Sequence, residues 1–371
     1  MLHTLYKNTS IPTTRRLAMG SFQNDYYSFG EIGSQPEAWS RLIPLILNQS
    51  EAIRKIFNGV EEVIFTGCGS GLNASVSGAT VMQAKAHLSA KAAPAFDVYK
   101  FPATVLNKNR KTLAILSSRS GKTTEVVDAL HFLNDRGIPT LGITCTEDSP
   151  LAIESTLALI LSPVTEQAVV TTRSLTGMIL VTQLITAIAA NDEAYLDELR
   201  QLPEICSLQM QAFHDLGRDI GQRADLTRYS FLANAPLYGA ARESQLKIKE
   251  MVLLPCDCYP ALDFRHGPKS NVDEQMLVTL LFSDSASQEE ACLLADMKAL
   301  QGVTWAICEQ AFPEITRSAD HLVQLGSGLG EYARIILYLP AIQYMAYYRA
   351  LTRGLNPDEP HNLTYWIDTS Q

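Results

Sequence analysis

An acid, an amine and a second acid recur at helical spacing between Tyr238 and Pro268. Glu243, Lys247 and Glu250 stand at i, i+4 and i+7, which places them on one face of a helix. A short apolar, turn-rich segment then leads to Phe264-Arg-His-Gly-Pro268, where His266 sits beside a Gly-Pro turn. Two carboxylates, an ammonium and an imidazole this close in the chain are the groups that proton transfer on a sugar needs. Taken alone, the same residues also describe a solvated Glu-Lys face followed by a loop histidine. The surrounding elements favour chemistry.

The front half of the chain offers a complementary site. Glu62 to Thr66 is a short β-branched run that ends in Gly67-Cys68-Gly69-Ser70-Gly71, with a small-residue helix from Asn73. A strand, a glycine loop and a helix start converge main-chain N–H groups on an anion. The spacing is neither a Walker loop nor a dinucleotide fingerprint. A second unit follows: a buried strand, Leu113 to Ser117, then Ser118-Arg119-Ser120-Gly121-Lys122-Thr123, then an amphipathic helix from Glu125 to Arg136. The hydroxyls of Ser118, Ser120 and Thr123 surround Gly121 at the helix start. Such hydroxyls can be mere caps, but two donor-rich loops in succession favour a bound phosphate. Thr171 and Thr172 begin another hydroxyl cluster, at the head of a long apolar helix.

The βαβαβ alternation predicts an α/β fold with a parallel, doubly wound sheet and ligands at the carboxyl ends of its strands. The pattern recurs in the second half, with strands at Tyr229–Ala233, Met276–Phe282 and Val303–Ile307. There the loop Ser283-Asp-Ser-Ala-Ser-Gln288 lacks the glycine and carries an acid that would repel phosphate. One lobe keeps an anion cradle while the other carries the Glu/Lys/Glu/His group, as a duplication with divided tasks would leave them. The expected organisation is an N-terminal arm (1–30), a first domain (31–192), a helical linker (193–225) and a second domain with its C-terminal tail (226–371).

Composition sets the limits. A chain of 371 residues, 46% hydrophobic and 19% charged, can bury two ordinary cores. A net charge of −9 argues against general nucleic-acid or anionic-membrane binding. Seven scattered cysteines read as reduced thiols, and Cys256-x-Cys258 lacks the second pair a zinc site needs. No metal and no cofactor are expected. The first residues lack the layout of a signal peptide and no uninterrupted run reaches membrane-spanning length, so a cytoplasmic location is expected.

From Glu31 onward the chain resembles the double sugar-isomerase (SIS) domain proteins. The resemblance rests on Gly67-Cys-Gly-Ser70, Ser118-Arg-Ser-Gly-Lys-Thr123, Ala241-Arg-Glu-Ser-x-Leu-Lys-x-x-Glu250, Phe264-Arg-His-Gly-Pro-Lys-Ser270 and Gly354-Leu-Asn-Pro-Asp-Glu-Pro360. It is similar to the isomerase half of glucosamine-6-phosphate synthase, and more so to bacterial amino-sugar phosphate deaminase/isomerases. The resemblance implies two tandem flavodoxin-like SIS domains. It implies a sugar phosphate held by Cys68, Gly69, Ser70, Ser118, Arg119, Ser120, Thr123 and Thr171 or Thr172. It also implies Glu250 as the base between C1 and C2, Lys247 as a catalytic lysine assisting at the sugar oxygens, Glu243 as a catalytic acid one helical stretch earlier, and His266 as the ring opener. In relatives that histidine can come from the neighbouring subunit, which implies a homodimer.

Departures narrow the expectation. The chain has no room for the glutamine-hydrolysing domain of the synthase, so no glutaminase activity is expected. Tyr365 stands where the synthase tail has an imine-forming lysine, and Gly71 replaces a hydroxyl residue. The resemblance therefore implies conversion of a hexosamine 6-phosphate to the ketose 6-phosphate with loss of ammonia. The alternatives are a plain aldose–ketose isomerase, a deglycase of glycated amino acid 6-phosphates, or a non-catalytic sugar-phosphate sensor.

Overall fold

The computed structural model describes residues 26–365. Most of the expected N-terminal arm, residues 1–25, lies outside them. Strands β1 (Glu62–Gly67), β2 (Ser89–Pro94), β3 (Thr112–Ser117), β4 (Thr140–Thr144) and β5 (Leu157–Ile160) make one parallel sheet in the order 2-1-3-4-5. Strands β6 (Arg228–Ala233), β7 (Cys256–Pro260), β8 (Met276–Leu281), β9 (Val303–Cys308) and β10 (His321–Gln324) make a second, in the order 10-9-8-6-7. Counted within each half, the two orders are the same. Central strands such as EVIFTG and TLAILS are buried along their whole length, as parallel strands covered on both faces must be.

The sequence pattern marks the edge strand β5 but misses the other edges, β2, β7 and β10. β2 reads SAKAAP and β7 reads CDCYP, both largely half-exposed and poor in β-branched residues. The segment from Ser34 to Phe57 is helical but divided. It forms α2 (Gln35–Leu47) and α3 (Ser50–Ile56), preceded by α1 (Tyr27–Gly33) where the loose arm was expected to continue. The main-chain N–H groups of Tyr27 and Ser28 donate to the Asp358 carboxylate at 2.6 and 2.8 Å, tying α1 to the C-terminal segment.

The helices that position the site are α4 (Ser70–Lys85), α5 (Thr124–Asn134), α6 (Arg173–Ala190), α7 (Glu193–Gly221), α8 (Tyr238–Lys247), α9 (Ser287–Ala299) and α10 (Leu339–Thr352). α6 is long and apolar enough to cross a membrane, yet it is buried in the protein core. The register of β1 and β3 sets Gly67 opposite Ser117. The two donor-rich loops therefore leave the sheet side by side.

The segment expected as a polar linker is the 29-residue helix α7. It buries Leu196, Leu199, Leu202, Cys206, Phe213 and Ile220 and packs on α2 from the front half and α10 from the back. One apolar core runs through that seam into both lobes. Leu199→Ala should therefore destabilise the protein by about 2–4 kcal/mol in urea unfolding, since a fully buried leucine leaves a cavity. An unchanged midpoint would mean that α7 only links the lobes.

Candidate active site

The site starts from two main-chain constraints. A Cβ on Gly71 would lie 2.3 Å from the Ser117 carbonyl oxygen, so only glycine lets the first loop rest on the end of β3. Gly121 has φ +63°, and a Cβ there would meet Ser149 Oγ at 2.1 Å. Inside the second loop the hydroxyls are pre-set. Ser118 Oγ lies 3.0 Å from Thr123 Oγ1 and accepts from Gly121 N, while Ser120 Oγ accepts from Lys122 N. Side-chain and main-chain donors thus gather at the start of α5.

These loops border a cavity of about 220 Å³. Cys68, Gly69, Ser70, Ser118, Arg119, Ser120, Thr123 and Thr171 line it from the front lobe, and Glu250 lines it from the back lobe. Residues 362–365 form a further wall. Burial, with Glu125 nearby, pushes the Cys68 thiol up to about 11, which favours its neutral form.

Beneath the cavity lies a buried charge chain. Past Lys247, helix α8 widens into a π turn, Ile248–Val252, that carries Glu250. Lys247 Nζ lies 2.6 Å from Glu250 Oε2 and 3.1 Å from Glu243 Oε1. It also donates to the Thr171 carbonyl at 3.0 Å, across the boundary between the lobes. Glu243 accepts from Ser70 Oγ at 3.0 Å and Asn73 Nδ2 at 2.9 Å. Lys247 and Glu243 have no exposed side-chain surface, whereas Glu250 keeps 21% and faces the cavity. Burial raises the Glu243 carboxyl, offset in part by Lys247. Burial pulls Lys247 down, but the two carboxylates outweigh it and hold the ammonium above its usual range. Lys247 and Glu243 therefore sit behind the cavity wall, with Lys247 bridging Glu243 to Glu250, and neither lines the cavity as a lysine at the sugar oxygens and its companion acid were expected to.

Three more expected site residues are placed differently. Thr172 does not line the cavity: its N–H and hydroxyl donate to Glu166 Oε1 at 2.6 and 2.8 Å, and it is fully buried. Thr171 alone of the pair faces inward. Arg119 lines the cavity, but its guanidinium is spent on the protein. It donates to the carbonyls of Ala168, Val169 and Tyr365, pairs with Glu166 at 3.4 Å and stacks on the Tyr365 ring at 3.9 Å. His266 is exposed in the turn between β7 and β8 and does not line the cavity of its own chain.

Sequence reasoning missed Asn73, Glu166 and Glu31. Glu166 gathers the N–H groups of Thr172 and Ser174, the Ser174 hydroxyl and Arg119. Glu31 accepts from Gln167 N and Ala168 N with Oε1, while its other oxygen is buried with no hydrogen-bond partner. An acid five residues before Thr171 was the signal for Glu166; Glu31, far off in sequence, offered none.

With fold and site in hand, the SIS domain profile matches residues 56–187 and again 228–351, and the chain belongs to that family. Among curated relatives, the glutamine–fructose-6-phosphate aminotransferase (isomerizing) of Chlamydia caviae is 29% identical over 358 residues, 91% of this chain. The chain spans only 58% of that relative's length. Among solved structures it is similar to tagatose-6-phosphate ketose/aldose isomerase from Escherichia coli (25% identity, TM-score 0.82, covering 91% of this chain and 95% of that one). It is also similar to glucosamine-6-phosphate deaminase from Thermotoga maritima (27% identity, TM-score 0.75, covering 92% and 99%).

Glu31 offers a test of the shell behind the site. Burial first, then repulsion from Glu166, raises its carboxyl to about 7. A folded-state value above the unfolded one means stability present below about 4.5 and lost as pH rises through about 7. Urea midpoints of the wild type should fall relative to Glu31→Gln across that window. Parallel curves would show that Glu31 does not titrate there.

Proposed function

We propose that the protein is an aldose–ketose isomerase acting on a hexosamine 6-phosphate, releasing ammonia to give the ketose 6-phosphate. One observation carries this reading: the Glu250 carboxylate and the 118–123 hydroxyl loop, from opposite lobes, line the same cavity. A phosphate held by the loop's hydroxyls and N–H groups fixes one end of an open-chain sugar, and the C1–C2 end is left for Glu250.

Glu250 takes the C2 proton, and the C2–H electron pair becomes the C1–C2 double bond of a cis-enolamine as the C1 oxygen gains a proton. Return of the proton to C1 leaves an imine at C2. Water adds to that carbon, ammonia departs and a ketone remains. Lys247 fixes one oxygen of the base and balances its charge while it is a carboxylate, before it takes the proton and after it returns it. His266 opens the ring from the neighbouring subunit of a homodimer, which accounts for its absence from the cavity of its own chain.

The likeness to the tagatose-6-phosphate isomerase favours a second reading, plain isomerisation without loss of nitrogen. Ammonia release from glucosamine 6-phosphate and galactosamine 6-phosphate, assayed beside isomerisation of the hexose 6-phosphates, separates the two.

Glu250→Gln should lower kcat by about 10²–10⁴-fold while sugar-phosphate binding, followed by calorimetry, persists. Activity equal to the wild type would remove Glu250 as the base. Mixing inactive Glu250→Gln and His266→Ala subunits should restore about a quarter of wild-type activity, because half the dimers would each regain one complete site. No recovery in subunits shown to exchange would place both residues in one chain's site.

A further inference from the structure

A large concave surface of the front lobe lies at the opposite end of its sheet from the candidate active site. It is a cavity of about 680 Å³ between the segments that enter β1, β3 and β4. Among the described residues, Lys108, Arg110, Lys111 and Arg136 line it, and no carboxylate does. The chain as a whole carries −9, so this patch runs against the composition. Among the described residues, none of the four forms an ion pair. Two acids adjoin the wall in sequence: Glu61 accepts from the main-chain N–H of Lys111 at 2.8 Å, and Asp135, just before Arg136, does not line the cavity. The Arg136 guanidinium donates to the Phe132 carbonyl and lies over the Phe132 ring.

Cations near helix C-termini are common, because the last carbonyls attract them. That explanation falls short in magnitude. α3 and α5 end here, and each contributes about half a negative charge, so about one positive charge would balance them. Four converge. The rest of the wall is apolar: Ile56, Val60, Leu106 and Ile138, with Pro102 and Pro139. A volume of this order suits an organic ligand. A sugar phosphate has too little apolar surface for these walls and too little charge for these cations.

We infer that this cavity binds a nucleoside polyphosphate, with the phosphates on Lys108, Arg110, Lys111 and Arg136 and the base against the apolar wall. β1 and β3 run directly from this cavity to the Gly67 and Ser118 loops, so its ligand sits on the two strands that carry the anion cradle. The inference stands apart from the proposed reaction and survives its failure.

Isothermal titration with ATP, inorganic tripolyphosphate and adenosine in low salt tests it. ATP should bind with a Kd on the order of micromolar, with tripolyphosphate and adenosine each at least about tenfold weaker. Lys108→Ala/Arg110→Ala, both exposed and harmless to folding, should weaken ATP by about tenfold or more. Ser120→Ala/Thr123→Val, in the other anion site, should leave ATP affinity within about twofold. The inference is overturned if ATP gives no saturable heat, if tripolyphosphate binds as tightly as ATP, or if only the Ser120/Thr123 variant loses binding.

Discussion

Everything at the site depends on one buried ammonium. Lys247 has no contact with solvent, and a charge so placed costs several kcal/mol of lost hydration unless its surroundings compensate. The compensation comes from Glu243 and Glu250 on its own segment and from the Thr171 carbonyl on the other lobe. Glu243 is in turn held by Ser70 and Asn73 of the front lobe. The electrostatic need of one side chain is thus met only when both halves are assembled. The same bonds aim Glu250 at the cavity.

The back lobe has the same strand order as the front but no comparable cradle. At the start of α9, the Glu290 carboxylate accepts from Ser283 N at 2.8 Å, from the Ser283 hydroxyl and from Asn234. Arg334, fully buried, pairs with Asp284 and lies 3.6 Å from Glu309. Donors that could meet a ligand anion are occupied by the protein's own carboxylates. The front lobe leaves its loop hydroxyls bonded within the loop and bordering a cavity.

Central strands, the paired loops and the Glu243/Lys247/Glu250 spacing were legible because they are local: buried β-branched runs, glycines and helical periodicity. The edge strands β2 and β7 were not, since their pairing is set by neighbours rather than by their own residues. Thr171 and Thr172 could not be told apart from sequence. Which one faces inward depends on Glu166, and that in turn on Arg119 and the 31–168 contact. Arg119 looked like an anion ligand because its type and loop position fit one. Only the folded tail, with the Tyr365 ring beneath its guanidinium, shows where that charge is spent. His266 carries a motif but does not line the cavity of its own chain, a placement that no spacing rule contains.

The approach of Gly71 to the Ser117 carbonyl has a further meaning. Backbone touching backbone fixes how far apart the two loops stand, and no side chain enters that measurement. The spacing of the two donor-rich loops is therefore written in the main chain. Thr171 and the wall at 362–365 border the same cavity through groups that other residues could replace. Such a scaffold lets the cavity wall vary while the distance between its loops stays fixed.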